Sequence, residues 1–197
     1  MTAPLEPTND AYALAKIAGV YQCRSYNRQY GNKYLAAMPN NLYGPNDNFD
    51  PEKSHVLPAL IRKFHEAKQN GAATVTVLGT GSPLREFLYV DDLAEASMFL
   101  MNLDDGRYNS ILEDLGAPAL INVGSGEELS IRDLALLIKD IVGFDGNLLF
   151  DSGKPDGTPR KLADISRVHK LGWRSKTDLN AGITATYRWY LENRGLM

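Results

Sequence analysis

A tyrosine and a lysine stand four residues apart in "DAYALAKIAG", at Tyr12 and Lys16. A free phenol titrates near pH 10, too high for useful proton transfer at neutrality. Making its proton available at pH 7 takes about 4 kcal/mol. An ammonium held about 4 Å away, at an effective dielectric near 20, supplies about that much. On a helix, positions i and i+4 share a face. Tyr12 and Lys16 are therefore a candidate couple for handing over a proton, although the same spacing also arises between ordinary helix neighbours.

The pair needs a helix to carry it, and residues 9–30 supply the pattern. Leu14, Ile17, Ala18, Tyr21 and Ser25 follow a period near 3.6, with Gly31 placed to end the helix. Tyr34–Met38 reads as a short buried strand and residues 40–55 as a turn-rich loop. Val56–Gln69 is helical, with Leu57, Leu60, Ile61 and Phe64 on one face. Thr74–Leu78 and Phe87–Val90 read as strands, and Asp91 or Asp92 is placed to cap a helix running to about Leu103. Residues 104–118 read as loop. Leu120–Val123 is a strand, and "SIRD" at 130–133 opens a helix ending near Val142 in the manner of a capping box. Asn147–Phe150 is a further strand, followed by a loop with a short helix, and Leu179–Asn193 is a closing helix. Short strands alternating with helices imply an α/β protein.

Composition narrows the chemistry. The 197 residues are 44% hydrophobic and 23% charged, with a net charge of −3, which suits one domain or one large domain with a small appendage. No basic stripe or lysine cluster favours nucleic acid or an anionic membrane. No apolar run approaches the roughly 18 residues that span a bilayer, and the opening "MTAPLEPTND" lacks a signal peptide's basic and apolar regions. The single Cys23 admits no internal disulfide and is read as packing, while His55, His65 and His169 lack ligand spacing. These features suit a cytoplasmic protein without metal.

The pieces "YALAKIAG", "SYNRQYG", "MPNNLYGPNDNF", "SHVLPALIRKFHEA", "VLGTGSPLREFLYVDDLA", "INVGSGEELSIRDLA" and "KPDGTPRKLADISRVHKLGW", in this order and spacing, carry a resemblance. Over residues 9–193 the chain resembles the GDP-L-fucose synthase family, NADPH-dependent 3,5-epimerase/4-reductases of the extended short-chain dehydrogenase/reductase class. The resemblance implies that Tyr12 is the general acid that protonates O4 as hydride reaches C4. Lys16 eases that proton transfer and holds the nicotinamide ribose. His55 is one half of the acid-base pair for epimerisation at C3 and C5, work that suits a group titrating near neutrality. Asn40, Asn41 and Leu42 contact the nicotinamide and substrate, with Asn40 standing where a threonine is expected. Arg85 binds the nucleotide diphosphate, for which the guanidinium fork is suited. Lys63 occupies the place of a basic substrate contact, Leu78 that of a tryptophan against the substrate. Lys154, Asp156 and Arg160 belong to a loop near the guanosine or its phosphates.

The implied cofactor is NADP. A dinucleotide-binding half opens with a glycine-rich turn after its first strand, and one βαβ unit takes about 30 residues. Only eleven residues precede Tyr12. The expectation is therefore the C-terminal portion of such an enzyme: a partial Rossmann-type sheet edge in residues 1–53, and a small substrate-binding α/β domain in residues 54–197 with some segments returning to the first part. The implied partners are a GDP-sugar substrate and either further copies of the chain or a completing chain. The alternatives are a catalytically incomplete nucleotide-sugar-binding fragment, or another nucleotide-sugar epimerase or dehydratase.

Overall fold

Residues 5, 7–112 and 119–193 are described by a computed structural model. Among the described residues, eight strands are interspersed with seven helices after a 3-10 turn at Pro7–Asn9, giving the mixed α/β architecture that the sequence implies. Helix α1 (Asp10–Tyr30) ends on Gly31, whose φ is 67° and whose N–H reaches the carbonyl of Asn27. It leads into strands β1 (Ala36–Pro39) and β2 (Asn41–Tyr43). Helix α2 (Val56–Gln69) is followed by β3 (Thr74–Leu78), β4 (Leu84–Tyr89) and α3 (Val90–Met101). Helix α4 (Asp105–Leu112), β5 (Leu120–Val123), β6 (Glu128–Ser130) and α5 (Ile131–Val142) come next. The order closes with β7 (Asn147–Asp151), β8 (Arg160–Lys161), α6 (Ser166–Leu171) and α7 (Leu179–Asn193).

Pairing is mostly parallel. β1 lies beside β5 with Ala36 opposite Leu120, and β2 beside β4 with Asn41 opposite Phe87. β3 runs parallel to β7, and β4 also takes β6 on the antiparallel side and β8 in parallel.

Two hydrophobic clusters result. In the first, α2 presents Leu57, Leu60, Ile61 and Phe64 at helical spacing, α5 presents Leu134, Ala135 and Ile138, and β3 turns Val75 and Val77 inward by strand alternation. Ser130 caps α5: its Oγ accepts from the N–H of Asp133 at 3.0 Å and donates to the carboxylate of that residue at 2.6 Å. The second cluster joins Leu88, Ala96, Leu100, Ile121, Val123, Val168 and Trp173.

The structure corrects the sequence reading at several elements. Residues 40–55 are not all loop, because Asn41–Tyr43 pair with β4. The expected loop at 104–118 contains α4, and its remainder, 113–118, lies outside the described residues. Strand β4 starts at Leu84 rather than Phe87, drawn into order by β6 and β8. Neither Asp91 nor Asp92 caps α3, whose N-cap is Tyr89. Asp92 is buried and accepts from the backbone of Lys176 and Thr177 and from the Thr177 hydroxyl, holding the approach to α7.

Candidate active site

Four elements converge on a cavity of about 530 Å³. Helix α2 supplies Val56, Ala59, Leu60 and Lys63, which recur every three or four residues and so line one stripe of the helix. Arg62 and Glu66 of the same helix also line the cavity. The end of β3 supplies Val77 and Leu78, β4 supplies Arg85, and residues 155–157 close the far side. Gly81, Pro83 and Ile131 complete the rim.

The rim is held by hydrogen bonds. Asp156 accepts from the Thr80 N–H at 2.9 Å and from the Thr80 hydroxyl at 2.7 Å. These donors hold the Asp156 carboxyl below its ordinary value of 3.8. Gly79 makes the approach possible: its φ is +83°, and a Cβ there would come within 2.4 Å of Asp156 Oδ1. From the other side the first turn of α5 grips the loop, with N–H of Ile131 on the Pro83 carbonyl at 3.0 Å and N–H of Arg132 on the Gly81 carbonyl at 2.9 Å. The Arg132 guanidinium also donates to Thr80 O at 2.8 Å and lies 3.8 Å from the centre of the Phe150 ring.

The charges lining the cavity do not cancel. Glu66 is paired with Arg62 at 2.6 Å, and Asp156 is engaged by Thr80. Lys63 gives one hydrogen bond to the Thr76 carbonyl, leaving two of its three donors. Arg85 donates to the Leu84 carbonyl at 2.7 Å and has no carboxylate partner among the described residues. Burial draws its guanidinium pKa down, the direction expected of a cation pulled from water. With Arg62 and Glu66 paired, Lys63 and Arg85 outnumber the ionised Asp156, and these two cations, without a carboxylate pair among the described residues, face walls made by Val56, Leu60, Val77, Leu78, Pro83 and Ile131. An apolar slot with two cations suits a flat base attached to phosphate.

Of the residues singled out from sequence, Lys63, Leu78, Arg85 and Asp156 meet here. Lys154 and Arg160 stand outside the cavity lining. Lys154 is exposed in the turn after β7, and Arg160 is bound to Glu128 through two bonds of 2.8 and 2.7 Å. His55 immediately precedes the lining residue Val56, as the exposed N-cap of α2. Burial raises the Asp47 carboxyl, opposed by the Asn48 N–H and by His55. Asn41 reaches across from β2 to β4, its Nδ2 donating to the Glu86 carbonyl at 2.8 Å. Asn40 and Leu42 flank it, both half-buried. Tyr12 and Lys16 share a face as their spacing requires, with the ammonium 5.4 Å from the centre of the ring. Neither lines the cavity, Tyr12 is 61% exposed, and α1 buries none of its residues. The sequence reading missed the apolar walls and the glycines of the rim. Of these, "GTGSP" carried the only local signal, a turn ending a β-branched strand.

The family model for NAD dependent epimerases/dehydratases matches residues 1–112. The chain belongs to the NAD dependent epimerase/dehydratase family. The chain is 57% identical over 193 residues to a probable GDP-L-fucose synthase 1 of Oryza sativa, covering 98% of this chain and 56% of that relative. It is 54% identical over 192 residues to the GDP-L-fucose synthase of Escherichia coli, covering 96% of this chain and 59% of that one. The crystal structure of a GDP-L-fucose synthetase from Naegleria fowleri bound to NADP superimposes with a TM-score of 0.83 at 33% identity, over 98% of this chain and 59% of that one. The chain therefore spans less than two thirds of the length of these relatives. Among its described residues, no helix is long and apolar enough to cross a membrane, and no three His, Cys, Asp or Glu side chains gather as a metal site.

Proposed function

We propose that this chain carries the substrate-binding side of an NADPH-dependent 3,5-epimerase/4-reductase that converts GDP-4-keto-6-deoxy-D-mannose to GDP-L-fucose in the cytoplasm. The observation that carries the reading is the cavity in which Lys63 and Arg85, neither paired with a carboxylate among the described residues, outnumber Asp156 against apolar walls. A GDP moiety needs both: cations for the diphosphate and flat apolar contact for the base. The names of the relatives at 57% and 54% identity support the same substrate class.

Within this reading, residues 54–197 are mainly the substrate domain, and residues 1–53 belong with the cofactor side. NADP fits that side. Lys16 is exposed with its ammonium beside Tyr12, and Nδ2 of Asn40 is a buried donor that lacks a partner among the described residues. The residues that would hold it are Lys16, Asn40, Asn41, Leu42 and His55, and it supplies a hydride when bound. The chain's own groups manage protons. Tyr12 gives its phenolic proton to the oxygen at C4, and the Lys16 ammonium offsets the charge left on the phenolate. His55 exchanges a proton at a carbon beside the ketone, where the carbonyl makes that proton removable. Lys63 and Arg85 hold the diphosphate, Leu78 packs on the substrate, and the segment bearing Lys154, Asp156 and Arg160 covers the nucleotide.

The exposure of α1 favours a second reading for the chain alone. Tyr12 and Tyr30 lie on one side of the helix, Leu14 and Tyr21 on the other, all exposed. A helix apolar on two sides is built to be covered on both, by a further copy of the chain or by a completing chain. Alone, the chain would hold a GDP-sugar without turning it over, and NADPH would not bind at micromolar concentration. Thermal unfolding tests the shared claim. GDP at 100 times its dissociation constant adds about 2.7 kcal/mol of stability. Stabilisation by GDP and not by UDP is expected; equal effects, or none with GDP, would overturn the substrate assignment.

A further inference from the structure

Glu86 has no exposed surface, and the chemistry proposed above does not use it. It lies on β4 between Arg85, which reaches the cavity, and Phe87 of the core. A buried carboxylate is costly unless donors meet its oxygens. Both are met here by backbone amides distant in sequence: Gly126 N–H donates to Oε1 at 2.7 Å and Ala163 N–H to Oε2 at 3.2 Å. The Glu86 carbonyl accepts from Nδ2 of Asn41 at 2.8 Å. Gly124 is a point of close approach, since a Cβ there would lie 2.3 Å from Glu86 Oε1 and 2.4 Å from Asn40 Nδ2. Only a bare α-carbon lets that buried amide and the carboxylate face one another.

Glu86 thereby touches segments with different duties. Asn40 follows β1 and Asn41 opens β2, on the cofactor side. Ala163 ends the segment that begins after β7. That segment is tied to the cavity rim by Asp156, which binds Thr80, and to β4 by the Leu84 N–H, which donates to the Pro159 carbonyl at 2.8 Å. We infer that Glu86 is a positioning residue: its backbone carbonyl holds Asn41 on the cofactor side while its carboxylate grips Gly126 and Ala163, which sets the substrate-side segment 153–163 against residues 40–42 so that hydride donor and nucleotide sugar stand in register. The inference deepens the GDP-sugar reading and rests on it. A carboxylate suits the task because it accepts at both oxygens at once. Glutamine of the same size accepts at one and turns a donor toward the other amide.

The test is hydrogen exchange and GDP titration of the 197-residue chain carrying Glu86→Gln. The Thr80 amide, at the far end of the tether, is expected to exchange at least tenfold faster, and GDP to bind at least tenfold more weakly, with the β3 amides unchanged. A purely structural role would instead speed β3 and Thr80 alike. Coupling is reciprocal, so Asp156→Ala is expected to speed exchange of the Ala163 amide, and this variant decides the matter where Glu86→Gln does not fold. An unchanged Thr80 amide in the folded Glu86→Gln variant, or an unchanged Ala163 amide in Asp156→Ala, overturns the inference. Absence of GDP binding by the unsubstituted chain overturns the substrate reading instead, leaving the two exchange results to judge the tether.

Discussion

Arg85→Met separates the cationic part of the cavity from its apolar part. The side chain keeps an unbranched apolar stem, somewhat shorter, and loses its fork. The free chain loses little, because the guanidinium makes one hydrogen bond, to the Leu84 carbonyl, and has no carboxylate partner among the described residues. Folding stability is expected to stay within about 0.5 kcal/mol, the usual range for a substitution that removes no cap, cavity contact or buried pair. The bound state loses more. A hydrogen bond to a charged group is worth about 1.5–3 kcal/mol, and the fork makes two that do not add fully. A loss of about 2–4 kcal/mol weakens GDP binding roughly 30- to 1000-fold, at about 1.4 kcal/mol per factor of ten. Titration calorimetry with GDP and with guanosine reads the difference. Guanosine lacks phosphate, so its affinity is expected to be the same for both proteins. Arg85→Lys retains the charge without the fork and falls between, near tenfold. GDP binding by Arg85→Met within threefold of the unsubstituted chain, or an equal loss for guanosine, would refute a diphosphate contact at Arg85.

Three further outcomes follow from single contacts. Ser130→Ala removes the α5 cap and is expected to cost about 1 kcal/mol, a fall of about 2–4 °C in the calorimetric melting temperature for a domain of this size; no fall would mean that another group meets the Asp133 amide. Tyr12→Phe is expected to leave melting temperature and GDP affinity unchanged, because Tyr12 is 61% exposed and outside the cavity. In an assembly that reduces a GDP-4-keto sugar, it lowers kcat by about 10²–10⁴, and turnover near the unsubstituted rate would remove Tyr12 from the acid's role. The Asp156 carboxyl sits below its ordinary value of 3.8, so the tether to Thr80 is fully present above that pH and fails only as pH falls through the lowered folded value. The Thr80 amide proton, followed by NMR, should titrate with a midpoint under 3.8; a midpoint at or above it contradicts the assignment.

Much of the scaffold was legible because its signals are local. Helix α2 runs from Val56 to Gln69 as its period implies, and β3 and β5 match their apolar runs. The cap at Ser130 follows from two residues three apart. β2, β6 and β8 were not legible, since strands of two or three residues exist only through partners such as Phe87 and Arg85. Helix α4 escaped notice because it buries only Ile111 and so lacks an apolar stripe. Asp92 looked like a cap beside a helix start, but the donors it meets lie on Lys176 and Thr177.

The site divides in the same way. Residue types and spacing alone marked Tyr12 and Lys16 as partners on one helical face, because 3.6 residues per turn fixes that geometry wherever the helix lies. Family motifs marked Lys63, Leu78, Arg85 and Asp156, but only folding carried them from α2, β3, β4 and the loop after β7 to one cavity. Glu86 could not have been read at all. Beside Arg85 a second charge suggests solvent, and its burial depends on amides 40 and 77 residues downstream. A helix face is set by bonds between near neighbours, whereas a buried carboxylate is permitted only by donors that the whole chain has to bring to it.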